Sequence, residues 1–94
     1  MKVKVLCAKG YNYEKNGVQK QGMTLDVCSA TQENDSDGRG NFTCGYPAEN
    51  IYIPRSLPIE ANDLINLVGK EVELVYERKL GQKFEQLVDI KVLD

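Results

Sequence analysis

A tight turn near the amino terminus limits the folds open to this chain. Asn16 and Gly17 both tolerate positive φ, and an Asn-Gly pair between two extended runs is the strongest short-range signal for a β-hairpin. Residues 11–14 indicate extended structure before the turn, and residues 18–30 indicate a long second strand in which Gly22 predicts a bulge or a twist. The residues around the turn are polar and unsuited to a core, so we expect the hairpin to protrude as a charged arm. It holds no catalytic set of residues, which points to a binding function.

Alternating apolar and polar residues indicate the other strands. Residues 1–7 place Val3, Val5 and Cys7 on one face, which is the period of a half-buried strand. Residues 31–40 are polar and rich in Gly, Asn and Asp, which predicts a solvated loop. Further strands are predicted at 41–45 and 49–54, as a third strand pair, and at 70–80 and 83–93, as a hairpin joined at Gly81-Gln82 with Val72, Leu74, Tyr76 and Phe84 facing inward.

One short helix is predicted between these strands. It spans residues 59–68, with Asn62 or Asp63 as its cap and Gly69 at its end. Three strand regions, a helix and a closing hairpin are the order of a five-stranded OB-fold Greek-key barrel, whose helix lies between strands three and four. The predicted fold is therefore all-β with one short helix, as an OB-fold barrel with a protruding β-hairpin. An SH3-like barrel is the nearest alternative, but it does not normally place a helix there.

The length of the chain indicates one domain. With 94 residues and 41% apolar content, we assign residues 1–94 to a single OB-fold domain. A domain this short buries only about 60 to 65% of its unfolded surface, so its stability margin is small and dimerisation is a sensible expectation. No apolar run approaches the ~20 residues that span a bilayer, and no secretory leader is recognisable. We therefore expect a homodimer in the cytoplasm with no membrane partner.

The sequence lacks histidine, and its cysteines and carboxylates do not form the patterns of common catalytic or metal sites. There is no histidine, and Cys7, Cys28 and Cys44 form no Cys-x-x-Cys pair. Residues 33–38 lack the bidentate glutamate of a calcium loop, and no helix follows residues 38–40 to make a phosphate loop. We expect no enzymatic activity, metal, cofactor or small-molecule substrate, and we expect the cysteines to be buried reduced thiols.

Positive charge and aromatic residues are concentrated in parts of the chain. Twelve Lys and Arg oppose fourteen Asp and Glu, for a net charge of -2, but residues 1–20 hold five lysines and one glutamate, which is +4. Aromatic faces beside cations are what single-stranded nucleic acid needs, although aromatic residues in a small barrel are more often core. The candidate nucleic-acid-binding residues are Tyr13, Lys15, Lys20, Gln21, Phe42, Tyr46, Arg55, Lys79, Lys83 and Phe84.

Several short motifs along the chain occur in a familiar order. They are Met-Lys-Val-Lys-Val at the start, Gly-Val-Gln-Lys-Gln-Gly at residues 17–22, Tyr46-Pro47, and Gly81-Gln82 followed by Leu87-Val88-Asp89. Together they resemble the first strand, DNA-binding hairpin, exposed Tyr-Pro pair and dimer-forming hairpin of the gene-five type of filamentous-phage single-stranded DNA-binding protein. Lys20 then stands in the place of that family's arginine. The resemblance implies an OB-fold homodimer that coats single-stranded DNA with little sequence preference, in phage, plasmid or mobile-element replication in a bacterial host cytoplasm.

Three departures from that family's pattern shape the expectations for this chain. Leu25 stands where the family has a tyrosine, Phe84 comes one place late, and residues 35–40 lengthen an acidic loop. Stacking on bases is therefore expected either to be weaker than in that family or to occur at Tyr13 and Phe42, with the arm supplying charge more than stacking. The alternative hypothesis is an OB-fold protein-interaction module or accessory subunit without nucleic-acid binding, because the acidic balance would suit a basic partner.

Overall fold

The computed structural model describes residues 1–93 of the protein, which form seven strands and one short helix. The strands are β1 (Lys2–Lys15), β2 (Val18–Ser29), β3 (Glu33–Ser36), β4 (Phe42–Gly45), β5 (Ala48–Tyr52), β6 (Glu71–Glu77) and β7 (Gln86–Val92), and the helix is α1 (Ala61–Ile65). Five strands make one antiparallel sheet in the order β5-β2-β1-β6-β7, and β3 pairs with β4 in a separate hairpin. The chain is therefore mostly β with one short helix, as predicted.

The predicted turn at Asn16 and Gly17 closes the longest strand pair of the sheet. The two residues have φ angles of 52° and 75°, and pairing of β1 with β2 begins immediately beside them, at Lys15 and Val18. Two successive residues with positive φ are typical of the type I′ turn, whose twist matches that of the strands it joins. Gly22 keeps a regular register on β2, so of the bulge or twist that we predicted there the bulge is not formed.

The outer half of this hairpin extends beyond the rest of the sheet. β5 pairs with β2 only from Thr24 to Cys28, and β6 pairs with β1 only from Lys2 to Lys4. Residues 9–22 therefore have no flanking strand over most of their length, and we call this segment the arm. The radius of gyration is 15.9 Å and the longest axis is 51 Å, whereas a compact domain of this length has a radius of gyration of about 12 Å. The prediction of a protruding hairpin is confirmed.

The core lies on one side of the curled sheet. Both edge strands contribute to the same buried cluster, through Ile51 of β5 and Leu87 of β7. Leu64 of α1 and the nearby Leu67 cover the cluster next to β1. The sheet is nevertheless open, because no ladder joins β5 to β7 in residues 1–93, so the closed barrel that we expected is not formed. Pro54 follows β5 and lacks the N–H that a longer ladder would need.

Two bulges change which side chains face the core. A register shift between Val5 and Cys7 places Cys7 opposite Asp26, which lies between buried residues of β2 and so points away from the core. A second shift, between Val75 and Tyr76, makes Leu87 the buried residue of β7. The predicted inward direction of Phe84 is therefore wrong: it lies before β7 and is 73% exposed. One added residue inverts the alternation of a strand, which the apolar pattern alone does not show.

Three local predictions also need correction. The predicted solvated loop at residues 31–40 contains β3, and its turn is closed by the Asp37 carboxylate, which accepts hydrogen bonds from the Arg39 backbone N–H at 2.7 Å and the Asn41 side chain at 2.6 Å. β4 and β5 pair with β3 and β2, not with each other. The cap of α1 is Glu60, whose backbone N–H donates to the Asp63 carboxylate at 2.9 Å. These turns are stabilised by hydrogen bonds from polar side chains, so the pattern of apolar residues does not predict them.

The cysteines are free thiols but are not fully buried. Cys44 is exposed on β4, and Cys7 and Cys28 are half-buried. Exposure of Cys44 follows from the β3–β4 hairpin, whose strands pack on no second layer of the core and are exposed except at Gly45.

Candidate nucleic-acid interface

The arm has two sides because side chains alternate along each of its strands. Tyr13 of β1 lies directly opposite Lys20 of β2, and directly opposed residues point to the same side of a sheet. Tyr11 and Lys15 share that side, since each is two residues from Tyr13. We call the side with Tyr11, Tyr13, Lys15 and Lys20 the outer face of the arm. The candidate residues Tyr13, Lys15 and Lys20 are thus brought together.

The outer face presents two adjacent aromatic rings. Tyr13 is 52% exposed and Tyr11 is 39% exposed. Their ring centroids are 5.9 Å apart with planes tilted by 38°, and the Tyr11 ring lies over Gly22, occupying the space that a Cβ would take. Gly22 therefore allows Tyr11 to lie flat against the arm while Tyr13 stands beside Lys20. Aromatic surface is present on the arm together with its charge.

The lysines of the outer face are not neutralised within the chain. Across residues 1–93, no carboxylate forms an ion pair with Lys15 or Lys20. The lysine at the base of the arm differs: Lys9 Nζ lies 2.8 Å from the Asp26 carboxylate, which also accepts a hydrogen bond from Asn50 at 2.7 Å. The hydrogen bond to Asp26 raises the pKa of Lys9, and those from Lys9 and Asn50 lower the pKa of Asp26. Lys9 is thus engaged in an ion pair at the base of the arm, whereas Lys15 and Lys20 are free to bind an anion.

The other side of the arm is polar, and its one charged residue is Glu14. Gln21 lies on this side with Asn12 and Gln19, and the Gln19 side-chain amide donates a hydrogen bond to the Asn12 side-chain carbonyl. Toward the body of the protein this side continues into the core at Leu25. Gln21 was predicted with the lysines but belongs to the opposite side of the arm.

Arg55 lies beside the base of the arm. Its guanidinium is 3.5 Å from the backbone carbonyl of Gln21. The turn that carries it is closed by the Leu57 N–H, which donates to the Pro54 carbonyl at 3.1 Å. Arg55 therefore joins the arm group of candidate residues, at the edge of β2.

The loop between β6 and β7 carries a second group of candidates, Lys79, Lys83 and Phe84. Lys83 Nζ lies 5.7 Å from the Phe84 ring centroid, within the range of a cation–π contact. This loop is far from the arm, because β6 runs antiparallel to β1 with Glu73 opposite Lys2. The loop follows the end of β6, so it lies beyond the first residue of β1, whereas the arm's tip lies beyond the last.

Phe42 and Tyr46 are likewise attached at the end away from the arm's tip. They are 76% and 59% exposed. Phe42 lies opposite Ser36 in the β3–β4 hairpin, which also bears Glu33, Asp35 and Asp37. Negative charge there opposes binding of phosphates near Phe42. The ten candidate residues are thus divided between two ends of the molecule, with Tyr13, Lys15, Lys20, Gln21 and Arg55 at the arm.

Two residues were misjudged from the sequence. Tyr11 belongs to the outer face but was not among the candidates, although its spacing of two from Tyr13 is the signal that would have found it. Leu25, at the position of the resembled family's tyrosine, is fully buried in the core. It therefore contributes to stability and offers no surface for stacking.

Other kinds of site find little support in residues 1–93. No group of three or more His, Cys, Asp or Glu side chains there is placed to hold a metal ion. Within the same residues, no helix has the length and apolar character needed to cross a membrane. Tyr76 has a pKa raised by burial and by the carboxylates of Glu49 and Glu85, so its hydroxyl stays protonated at neutral pH and is no general base.

Comparison with family models, curated proteins and solved structures finds no match to the chain. The resemblance to the gene-five type therefore stays a prediction. What bears on function is the placement of two tyrosine rings and two unpaired lysines on one exposed face.

Proposed function

We propose that the protein binds single-stranded DNA through the outer face of the arm, without catalysis. The observation that carries this proposal is the cross-strand pair of Tyr13 and Lys20, both exposed and on one side. A base stacked on an aromatic ring contributes roughly 1 to 3 kcal/mol, and a lysine beside it neutralises the phosphate of the same strand. Every base has a π-face, so this arrangement favours binding with little sequence preference.

The proposed fold is of the OB type with one seam open. The order β5-β2-β1-β6-β7 is what a five-stranded Greek-key barrel gives when its edge strands are not joined, and α1 lies between the third and fourth strands of the sheet in chain order. Curling of the sheet supports the proposal, since Ile51 and Leu87 of the two edges share one core. A partly open barrel leaves the arm free to project.

A homodimer is part of the proposal. The loop between β6 and β7, at the end of the molecule away from the arm's tip, exposes two large apolar side chains, Leu80 and Phe84. A second copy covering this end would remove apolar surface from water and so add stability to a small domain. The proposed role is coating of single-stranded DNA during phage, plasmid or mobile-element replication in a bacterial cytoplasm, which rests on the motif resemblance.

Anisotropy of a fluorescein-labelled dT16 oligonucleotide, titrated with protein over a salt series, tests the proposal. Each cation that meets a phosphate contributes about 0.7 to the slope of log affinity against log salt, so Lys15, Lys20 and Arg55 together should give a slope near -2. Lys91→Ala is the control, because Lys91 is an exposed lysine on β7, outside the arm. Absence of binding at low salt would refute the proposal and favour the protein-interaction alternative.

A further inference from the structure

An open cleft of about 590 Å³ lies at the base of the arm, where β2 extends past the end of β5. Its volume is within the range of ordinary small-molecule pockets. One wall comes from the arm and the adjoining part of β2, and the other from the end of β5 and the segment after it. The first wall includes Tyr11, Gly22 and Met23 with the polar residues Asn12 and Gln21, and the second includes Tyr52, Arg55 and Leu57. The lining is thus mostly apolar and aromatic, with one cation.

The wall after β5 is held by backbone hydrogen bonds. The Ile53 N–H donates to the Met23 carbonyl at 3.0 Å, and the Leu57 N–H donates to the Pro54 carbonyl at 3.1 Å. The Ile59 N–H donates to the Leu57 carbonyl at 2.8 Å. The first bond fixes the start of the segment against the edge of β2 and the other two hold its turns, so the cleft is formed before any ligand enters.

The charge of the cleft favours an anion. Arg55 is the one charged residue among those that line it, and none of the lining residues carries a carboxylate. The guanidinium has a single long contact, 3.5 Å to the Gln21 carbonyl, and no ion pair within residues 1–93. A guanidinium has five N–H donors, so most of them remain available to a phosphate.

The cleft is continuous with the outer face of the arm through Tyr11. This residue lines the cleft, lies over Gly22, and has its ring centroid 5.9 Å from that of Tyr13. A strand that stacks one base on Tyr13 and places a phosphate at Lys20 therefore has the cleft as its next contact toward the body of the protein.

We propose that the cleft takes one nucleotide, with its planar base against the Tyr11 and Tyr52 rings and the apolar wall and its phosphate on Arg55. As a subsite for a bound strand, this inference rests on the proposed function. A free nucleoside monophosphate has the same chemistry, so the experiment separates the two sources.

Methyl NMR spectra of the full chain, titrated separately with dT16 and with dTMP, test the inference. Leu57 and Ile59 report on the cleft, Val18 reports on the arm's outer face, and Val92 of β7 is the distant control. Both ligands should shift the Leu57 and Ile59 methyl signals, and dT16 alone should shift Val18. A shift of Val18 by dT16 without any at Leu57 and Ile59 would overturn the cleft and leave the proposed function standing. If dTMP shifts the Leu57 and Ile59 signals and dT16 shifts no signal, the cleft binds a nucleotide but the proposed function is overturned.

Two variants sharpen the result. Arg55→Gln should weaken the binding of dTMP at least tenfold, while dT16 should still shift the Val18 methyl signal. An unchanged affinity for dTMP would overturn the role of Arg55. Gly22→Ala places a Cβ against the Tyr11 hydroxyl oxygen, so the ring must move. Gly10→Ala is the matched change on the facing strand: Gly10 also lines the cleft, but its added Cβ meets only the Gly22 carbonyl at 3.9 Å and leaves the Tyr11 ring in place. Weaker dTMP binding in Gly22→Ala and not in Gly10→Ala is expected, and equal binding in both would count against Tyr11. The unperturbed Val92 signal shows that each variant is folded.

Discussion

Replacing Tyr13 and replacing Lys20 should weaken DNA binding in ways that differ in their dependence on salt. The two residues are cross-strand neighbours on the outer face, and both are exposed. Tyr13→Ala removes an aromatic face, whereas Lys20→Ala removes a cation that has no intramolecular ion pair in residues 1–93. Because both side chains are exposed, neither change should move the urea midpoint noticeably, since substitutions at such positions usually change stability by less than about 0.5 kcal/mol.

The expected magnitudes follow from the two mechanisms. Loss of one stacked base at Tyr13 costs roughly 1 to 3 kcal/mol, or about 5- to 150-fold in affinity, and does not depend on salt. Loss of one phosphate contact at Lys20 lowers the salt slope by about 0.7, which corresponds to about 8-fold weaker binding at 50 mM salt and about 3-fold at 200 mM. The ratio of the two penalties should therefore change with salt.

The assay is dT16 anisotropy for the wild type, both single variants, the double variant and Tyr13→Phe. Tyr13→Phe keeps the π-face and should bind within about twofold of the wild type, because stacking uses the ring. The double variant measures coupling between neighbours, which commonly reaches 0.5 kcal/mol or more for residues in contact. A Tyr13→Ala penalty that shrinks with salt as the Lys20→Ala penalty does, or a Tyr13→Phe variant as weak as Tyr13→Ala, would refute stacking at Tyr13.

Three further predictions concern stability. Leu25→Ala should lower the free energy of unfolding by about 2 to 5 kcal/mol in urea titrations, because Leu25 is fully buried; a loss below about 1 kcal/mol would contradict its place in the core. Gly17→Ala should speed hydrogen exchange in the arm and lower the free energy of unfolding by about 1 kcal/mol, because a φ of 75° is strained for alanine and unfolding releases that strain; unchanged exchange rates in residues 9–22 would contradict it. Asp26→Asn should flatten the loss of stability in acid, because hydrogen bonds from Lys9 and Asn50 hold the pKa of Asp26 below its usual value of 3.8. The stabilisation from this carboxylate is therefore full above pH 3.8 and is lost as the pH falls through the folded-state pKa. Urea midpoints measured across that acid range check this prediction. If the midpoint of Asp26→Asn falls with pH as steeply as that of the wild type, Asp26 is not the group responsible.

The geometry of the arm could be predicted because it is determined locally. A two-residue loop at Asn16 and Gly17 fixes the register of the strands beside it, so the pairing of Tyr13 with Lys20 follows from counting outward from the turn. No contact from elsewhere in the chain is needed. The same counting places Tyr11 on that face, which the search for candidates did not use.

The rest of the candidate site depends on pairings between distant parts of the chain. The separation of Lys83 and Phe84 from the arm follows from the antiparallel pairing of β6 with the start of β1, and no local motif specifies that pairing. The prediction that Phe84 faces inward is wrong for a second reason. The register shift between Val75 and Tyr76 changes which residues of β7 face inward. Bulges insert one residue without a strong sequence signal, so period-two counting fails beyond them.

The net charge of -2 does not argue against the arm as a DNA-binding surface. Lys9 is paired with Asp26, so Lys15 and Lys20 oppose Glu14 alone among the remaining charges of residues 9–22, which is +1, while acidic side chains collect on the β3–β4 hairpin. That hairpin is attached at the other end of a molecule whose longest axis is 51 Å. Since the Debye length is about 10 Å at 0.1 M salt, charges that far away are largely screened from a ligand at the arm. A phosphate at the outer face therefore experiences the charge of the arm and not that of the whole chain.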